Sequence, residues 1–483
     1  MNVRNSVILS AISQYLLKII GFVNVIIMAR LLTPDELGVY AIAGAVVLIA
    51  SELKLMGTTS YLIREKELTE AKVRSGVGLS IIFSWGLGLS LAASSNYLSL
   101  FFDEPRVAPV FYILSLNFIF APFTSVTTSL LSRNLQFDKL VKVNILTEVS
   151  RFLASLVLVL MGLGILGLAW GLLFGSLVEA ILVYIFRPSA ARFIPSFKGL
   201  KPIFKFGFYS SMTNLLARFD ANAPDLVIGK LGTTAQVAFF SRGVGFYQFI
   251  TTLISSGVWP VVLPYLSGVN RDGGNMKEAY IRASLLMGGV CWPILAAAGV
   301  MSYPIIMLLF GEQWLDTVPL AAILSIWAIL RLVHNFSPQL LMAVHKERVM
   351  LLKQLVLFTL TLTLVYFAYP YGLKYVAWAM AFVGFADFVV GSIAVYFATG
   401  LSIFTFSKAM FKNVMLTAMC FGVATVGDFI LDYRALPAYL SLVLMGPILV
   451  ITWLVGVWST KHPLWGEVLQ LSKPLILKVA RKG

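Results

Sequence analysis

Fourteen apolar runs, most of them twenty residues or longer, follow one another along this 483-residue chain and decide what it can become. In lipid, backbone N–H and C=O groups must pair within their own segment or within a closed barrel. Barrel strands alternate in stretches of roughly ten residues. These runs are about twice as long, which is the length of a membrane-crossing helix. Only 12% of the residues are charged and 59% are hydrophobic, against roughly 25% charged in a soluble domain. The fold class is therefore all-α and polytopic, with spans near 6–29, 36–61, 75–98, 108–131, 140–162, 165–186, 204–229, 236–266, 280–302, 317–343, 349–370, 373–397, 409–431 and 436–458. The opening "MNVRNSVILS" has the charge of a signal n-region. The run after it is too long, too polar at Gln14 and Lys18, and without a small-residue cleavage site, so it is read as retained. Cys291 and Cys420 lie singly in apolar runs, a spacing that predicts neither a disulfide nor a metal site.

A formal net charge of +15 raises the question of nucleic acid. The distribution answers it. Of 37 Lys and Arg, five (Arg30, Arg106, Lys230, Lys374 and Arg434) fall in one set of alternating connections. The other set, which includes both termini, holds most of the rest. That asymmetry predicts both termini in the cytoplasm and needs no nucleic acid. The connections are short, and the longest internal one is 187–203. None is large enough for a catalytic or nucleotide-binding domain, so the chain is read as no enzyme. The "GVGLS" at 76–80 follows no strand and implies no dinucleotide site. The basic, amphipathic 461–483 is expected on the inner membrane surface, a partner-binding helix being the alternative.

The chain also matches itself. "ARLLTPDELGVYA" from Ala29 aligns with "GKLGTTAQVAFFS" from Gly229, "GILGLAW" from Gly164 with "GLKYVAW" from Gly372, and Glu179 with Asp387. Six helices separate the copies, so the repeats are parallel and predict two lobes related by an axis along the membrane normal. Residues 1–200 form an N-lobe, 201–400 a C-lobe, and 401–460 two added helices. Transporters of this build hold substrate between the repeats and rock the lobes; a static channel or scaffold is the other reading.

Ionisable residues inside spans mark candidate sites, because each costs roughly 2.5–3.5 kcal/mol near a helix centre. Ser10, Gln14, Lys18, Gly21 and Asn24 fall on one face of the first helix. At offset 200 they meet Ser210, Asn214 and Arg218 on the seventh. Two matched polar ladders, each with one cation, point to an anion site in a central cavity; the competing reading pairs Arg218 with Asp220, Asp225 or Glu52. Arg151 either joins that site or pairs with Glu148 three residues away. Lys54 either faces inward or snorkels. Arg331 and His334 share a face of the tenth helix and are candidates for the C-lobe cavity, His334 equally as a packed side chain. Asp220, Asp225 and Glu52 are the ion-coupling candidates, for protons or sodium, with Pro224 placed to bend the seventh helix. Gly171 and Gly175 form a packing face.

The turns "RLLTPDELGVY" (30–40), "LLSRNLQF" (130–137) and "LLFGEQW" (308–314) resemble the polysaccharide-transport branch, with its Wzx-type flippases, of the multidrug/oligosaccharidyl-lipid/polysaccharide exporter superfamily. That resemblance implies a flippase in the bacterial inner membrane. It would carry undecaprenyl-diphosphate-linked oligosaccharide from the inner to the outer leaflet by alternating access. Membrane lipids, a polysaccharide polymerase and other assembly proteins are the implied partners, and no cofactor is implied. Cations such as Lys18 and Arg218 would meet the diphosphate; Gln14, Asn214, Ser10 and Ser210 would meet the sugar. A drug exporter of the same superfamily is the alternative and predicts an acid-dominated cavity. A membrane polymerase would need a sizeable outer loop.

Overall fold

The fourteen runs become fourteen long helices. The computed structural model describes residues 3–55, 58–65, 67–188 and 193–470, with the side chains of 3–12, 55, 60, 64, 201–202, 205–210 and 260 outside the description. Ser10, Ser210 and the tail from 471 therefore lie beyond what it describes. The helices are α1 (Val3–Leu31), α2 (Pro34–Leu55), α3 (Glu70–Phe101), α4 (Val107–Arg133), α5 (Phe137–Leu163), α6 (Ile165–Phe186), α7 (Leu200–Leu231), α8 (Thr234–Arg271), α9 (Met276–Val300), α10 (Thr317–Ala343), α11 (Glu347–Ala368), α12 (Leu373–Thr399), α13 (Ile403–Leu431) and α14 (Ala438–Ser459). Two of them are pairs of helices end to end, Val107–Ser115 with Asn117–Arg133 in α4 and Thr317–Leu332 with Ser337–Ala343 in α10. Among the described residues, thirteen spans are long and apolar enough to cross a membrane; the described part of α7, which carries Arg218, Asp220 and Asp225, is not one of them.

The two boundaries that differ most from the hydropathy pattern are the end of α2 and the start of α13. The second run extends to 61, but α2 ends at Leu55 and a separate helix covers Thr58–Arg64. The thirteenth run starts at 409, yet α13 begins at Ile403 because the Ser402 hydroxyl accepts from the Thr405 N–H at 3.2 Å.

The repeat reappears in the backbone. At the start of α2 the Thr33 N–H donates to Glu36 at 2.9 Å while the Glu36 N–H donates to the Thr33 hydroxyl at 3.3 Å. At the start of α8, Thr233 and Gln236 make the same reciprocal pair at 3.2 and 3.3 Å. These are capping boxes at offset 200. Left-handed residues recur in register too: Leu135 (φ 55°) with His345 (φ 56°), and Gly164 (φ 54°) with Gly372 (φ 106°). The last two precede α6 and α12, where a side chain would be strained. Gly171 and Gly175 do pack as expected. A Cβ on Gly175 would come within 2.9 Å of Arg151 Cβ, and one on Gly171 would strike Ser155, so α5 and α6 run in close contact.

The chain divides into two compact units, one of Met1–Arg242 with Gln354–Pro370, the other of Gly243–Lys353 with Tyr371–Gly483. In the first, Tyr61, Leu62, Val73, Val77, Val126, Leu130 and Ile203 form a buried cluster. In the second, α13 packs on α9, and the Trp453 indole on α14 donates to the Gly289 carbonyl at 2.8 Å. Both cysteines are free and buried.

The segment after α14 is tied back by Lys412, which donates to the Lys461 carbonyl at 2.8 Å, and by a histidine. His462 Nδ1 accepts from the Leu464 N–H at 3.1 Å, which leaves Nε2 as donor to Asn413 Oδ1 at 2.8 Å. Burial, with the Lys412 charge adding to it, pushes His462 down to about 4. A buried neutral histidine contributes stability above its ordinary value near 6.5, and that contribution fades as pH falls from there towards 4. Hydrogen–deuterium exchange of residues 459–470 in detergent, corrected for intrinsic rates, should therefore speed up between pH 7 and 4.5. His462→Gln should flatten that dependence; a pH-independent wild type would refute the account.

Candidate functional site

The two matched turns meet each other. Asp35, at the start of α2, accepts from the Thr234 hydroxyl at the start of α8, and from Arg106 Nη1 at 2.6 Å. Arg106 also holds Glu104 at 2.7 Å and keeps its carboxyl below the usual carboxylate range. Lys230, at the end of α7, pairs with Asp103 at 2.9 Å. The Tyr369 hydroxyl donates to Gln236 at 2.8 Å. Gly38 lies so close to the Thr234 backbone that a Cβ would collide with its carbonyl. These contacts, all within the first unit, clasp the α1–α2 turn to the α7–α8 turn. The capping boxes were readable from sequence. The clasp was not, because it joins residues 71 to 199 positions apart.

Along α1, Gln14 is exposed and Lys18 half-buried, and no hydrogen bond or ion pair joins Lys18 among the described residues. Among the described residues nothing lies within 4 Å of a Cβ built on Gly21, and Asn24 Oδ1 is buried without a partner. Among the described residues this face of α1 is therefore uncovered at Gly21 and carries unused hydrogen-bonding groups at Lys18 and Asn24. On α7, Asn214 is exposed and Arg218 donates through Nε to Glu52 of α2 at 2.8 Å. One of the pairings weighed from the sequence, Arg218 with Glu52, is thus present. It is far from sealed, since 52% of the Arg218 side chain remains accessible.

Other charges gather in the same unit. Arg151 pairs with Glu148 at 2.6 Å, as their spacing allows. Lys54 does not snorkel. Its Nζ lies 5.6 Å from the centre of the Phe118 ring, within electrostatic range of Glu179 and Glu52. Asp220 is fully buried and accepts from the Thr361 hydroxyl of α11 at 2.5 Å. Asp225 accepts from Ser241, beside Arg242. The helix is continuous through Pro224.

In the second unit, Lys353 sits 2.8 Å from Asp387, both nearly buried at 10% and 13%. The lysine donates to the Ser337 hydroxyl at 2.9 Å. The charge asymmetry had assigned Lys353 to a connection. It lies on the second turn of α11, four residues inside the predicted span edge at 349, and that position was the available signal. His334 is a packed histidine, bonded to the Tyr280 hydroxyl and to Ser392, each at 2.8 Å, and stacked 4.6 Å from Phe406. Arg331 lies over Trp327, 5.6 Å from the ring centre.

Fold and site together define a multi-pass helical membrane protein with a duplicated architecture and a polar, largely ion-paired interior. Residues 27–319 match the family of polysaccharide biosynthesis proteins, and the chain belongs to that family. The teichuronic acid biosynthesis protein TuaB of Bacillus subtilis is 24% identical over 432 residues, 86% of this chain and 87% of that protein. The succinoglycan biosynthesis transport protein ExoT of Rhizobium meliloti is 24% identical over 305 residues, 63% of this chain and 62% of that one. Among solved structures, lipid II flippase MurJ in an inward closed conformation superposes with a TM-score of 0.76 at 14% identity, over 96% of this chain and 100% of MurJ. That likeness establishes a shared fold.

The two ion pairs should respond differently to removal of one partner. Glu52→Gln exposes an arginine that is already half in solvent, and should cost at most about 1 kcal/mol. Asp387→Asn strands a buried lysine and should cost about 3–5 kcal/mol. Denaturant or thermal unfolding of the purified variants in one detergent measures both, and equal losses would contradict the assignment.

Proposed function

We propose that this protein is a flippase that moves undecaprenyl-diphosphate-linked oligosaccharide from the inner to the outer leaflet of the bacterial cytoplasmic membrane. The observation that carries this reading is the pair of matched ladders, in which, among the described residues, Lys18 is unpaired and the Arg218 side chain is held by a half-exposed contact to Glu52. A diphosphate needs strong donors. A cation locked in a buried pair would not be free to meet it; an exposed pair, worth 0–1 kcal/mol, gives way to a doubly charged ligand. Gln14 and Asn214, both exposed, are the neighbouring sugar donors, with Ser10 and Ser210 at the same rungs. Arg151 is a secondary binding candidate.

The names of the relatives support the same direction: one is a biosynthesis protein for teichuronic acid, one a transport protein for succinoglycan, and the structural neighbour a lipid II flippase. With both termini cytoplasmic, the clasp of Asp35, Arg106 and Thr234 faces outward and acts as the outer gate. Opening it by rocking residues 1–200 against 201–400 would release the headgroup. Asp225, Asp220 and Glu52 are the groups through which a proton or sodium gradient would drive that step.

Lys18→Ala and Arg218→Ala should each lower export of the surface glycan by about tenfold or more, the loss of roughly 1.5–3 kcal/mol of charged hydrogen bonding. Membrane abundance should hold, and Lys18→Arg should keep most activity. Undiminished export by both alanine variants would sink the proposal. In proteoliposomes, Asp225→Asn should lower translocation driven by an imposed proton or sodium gradient; a wild-type protein indifferent to both gradients would remove the coupling role.

A further inference from the structure

Three helices of the first unit, α2, α5 and α6, bring opposite charges close without joining all of them. α5 and α6 run antiparallel in tight contact. Gly171 lies against Ser155, and one turn on a Cβ on Gly175 would come within 2.9 Å of Arg151 Cβ and 3.1 Å of Arg151 Nε. A further turn along each helix sets Glu179 level with Thr147 and Glu148. Thr147 is 4% exposed, and its hydroxyl has no hydrogen-bond partner among the described residues. Arg151 gives Nη1 to Glu148 at 2.6 Å, yet its Nε is buried with no acceptor among them. Lys54 of α2, with its Nζ over the Phe118 ring, comes within electrostatic range of Glu179.

Glu179 itself takes part in no hydrogen bond or ion pair among the described residues. The other acids inside this unit each accept a hydrogen bond: Asp220 from Thr361, Asp225 from Ser241, Glu52 from Arg218 and Glu148 from Arg151. An ionised carboxylate in a protein interior needs donors, whereas the neutral acid demands far less. Donors stand one turn away, on Thr147 and Arg151, and the carboxyl keeps apart from them. The charged groups that face it are Glu148 and Arg151 from α5 and Lys54 from α2; on α4 the titratable residues are Tyr112 and Arg133, and neither acts on it. Burial opposes its charge and the two cations favour it, so a small shift of Arg151 or Lys54 is enough to move a proton on or off. A metal cation would meet two positive charges there. A proton needs a single carboxylate oxygen.

We propose that Glu179 is a proton-binding group of the first unit, neutral and apart from its donors in the arrangement of this structure, and ionised when it accepts from the Thr147 hydroxyl and Arg151 Nε. The proton joins a carboxylate oxygen in the first form and leaves to water in the second. The inference rests on the flippase reading for the work that the proton does, and it adds a coupling group on α6.

The test is pH-difference infrared spectroscopy of the purified full-length protein in lipid, which reads the C=O stretch of a protonated carboxyl directly. Acidification should raise a band that Glu179→Gln removes and that Asp225→Asn, on another helix, leaves in place. Thr147→Val keeps the acid and takes one donor from its ionised form. The band should then persist to higher pH by about one unit, the scale of a hydrogen bond to a charged group. A carboxyl region silent to pH, a band that survives Glu179→Gln, or one that Thr147→Val does not move overturns the site. In proteoliposomes, an imposed proton gradient should accelerate translocation of an undecaprenyl-diphosphate trisaccharide by the wild type, and Glu179→Gln should run at one rate with or without the gradient. Acceleration that survives Glu179→Gln overturns the coupling role. A titrating Glu179 in a protein that moves no lipid-linked glycan upholds the site and overturns the flippase reading.

Discussion

A charge placed among apolar helices must find a partner or reach water, and the way this chain meets that demand shapes the rest of the structure. Isolated cations at a bilayer's centre are costly. Here Arg218 reaches across from α7 to Glu52 on α2, Arg151 turns to Glu148 on its own helix, and Lys353 joins α11 to Asp387 on α12. Two of the three bind different helices together, so charge neutralisation also fixes helix neighbours. Lys18 alone of the ladder cations has no partner among the described residues.

Much of this was legible in the sequence, and the reasons are local. Helix length follows from the hydropathy of each run, and α6 and α10 begin and end where their runs do. The capping boxes at Thr33 and Thr233 follow from a four-residue pattern, and Glu148 with Arg151 from a spacing of three. The matched Gly164 and Gly372 could be aligned because a left-handed turn before a helix tolerates little else. What was not legible depends on which helices become neighbours. Nothing near Asp35 in the chain announces Arg106 or Thr234, and Thr147 comes level with Glu179 only once α5 and α6 are known to pack through Gly171 and Gly175.

Lys353 shows where a rule of thumb misleads. Charge counting treats a lysine near a span edge as part of the connection. Ser337 and Asp387 offer this one a hydrogen-bond acceptor and a counter-ion inside the bundle, so it enters. Its repeat-related interpretation also shifts: Glu179 and Asp387 are matched in sequence, yet Asp387 has a close lysine while Glu179 shares its surroundings with Lys54 and Arg151 at longer range. The duplication preserved backbone more faithfully than electrostatics.

Exposure then separates structural pairs from displaceable ones. Lys353 and Asp387, at 10% and 13%, are held in a low-dielectric setting where removing one partner is costly. Arg106 and Asp35, at 45% and 47%, are half-exposed, as is Arg218 at 52%. Exposed pairs contribute roughly 0–1 kcal/mol each, so a clasp built from a few of them sums to no more than a few kcal/mol. That is the scale separating two conformers that must both be populated in a working cycle. A gate made of buried pairs would hold its closed state too deeply to open on binding a ligand. Under the proposed cycle, weak pairing at Asp35, Arg106 and Arg218 is therefore the condition for motion, and the strong pair, Lys353 with Asp387, is kept inside the second unit.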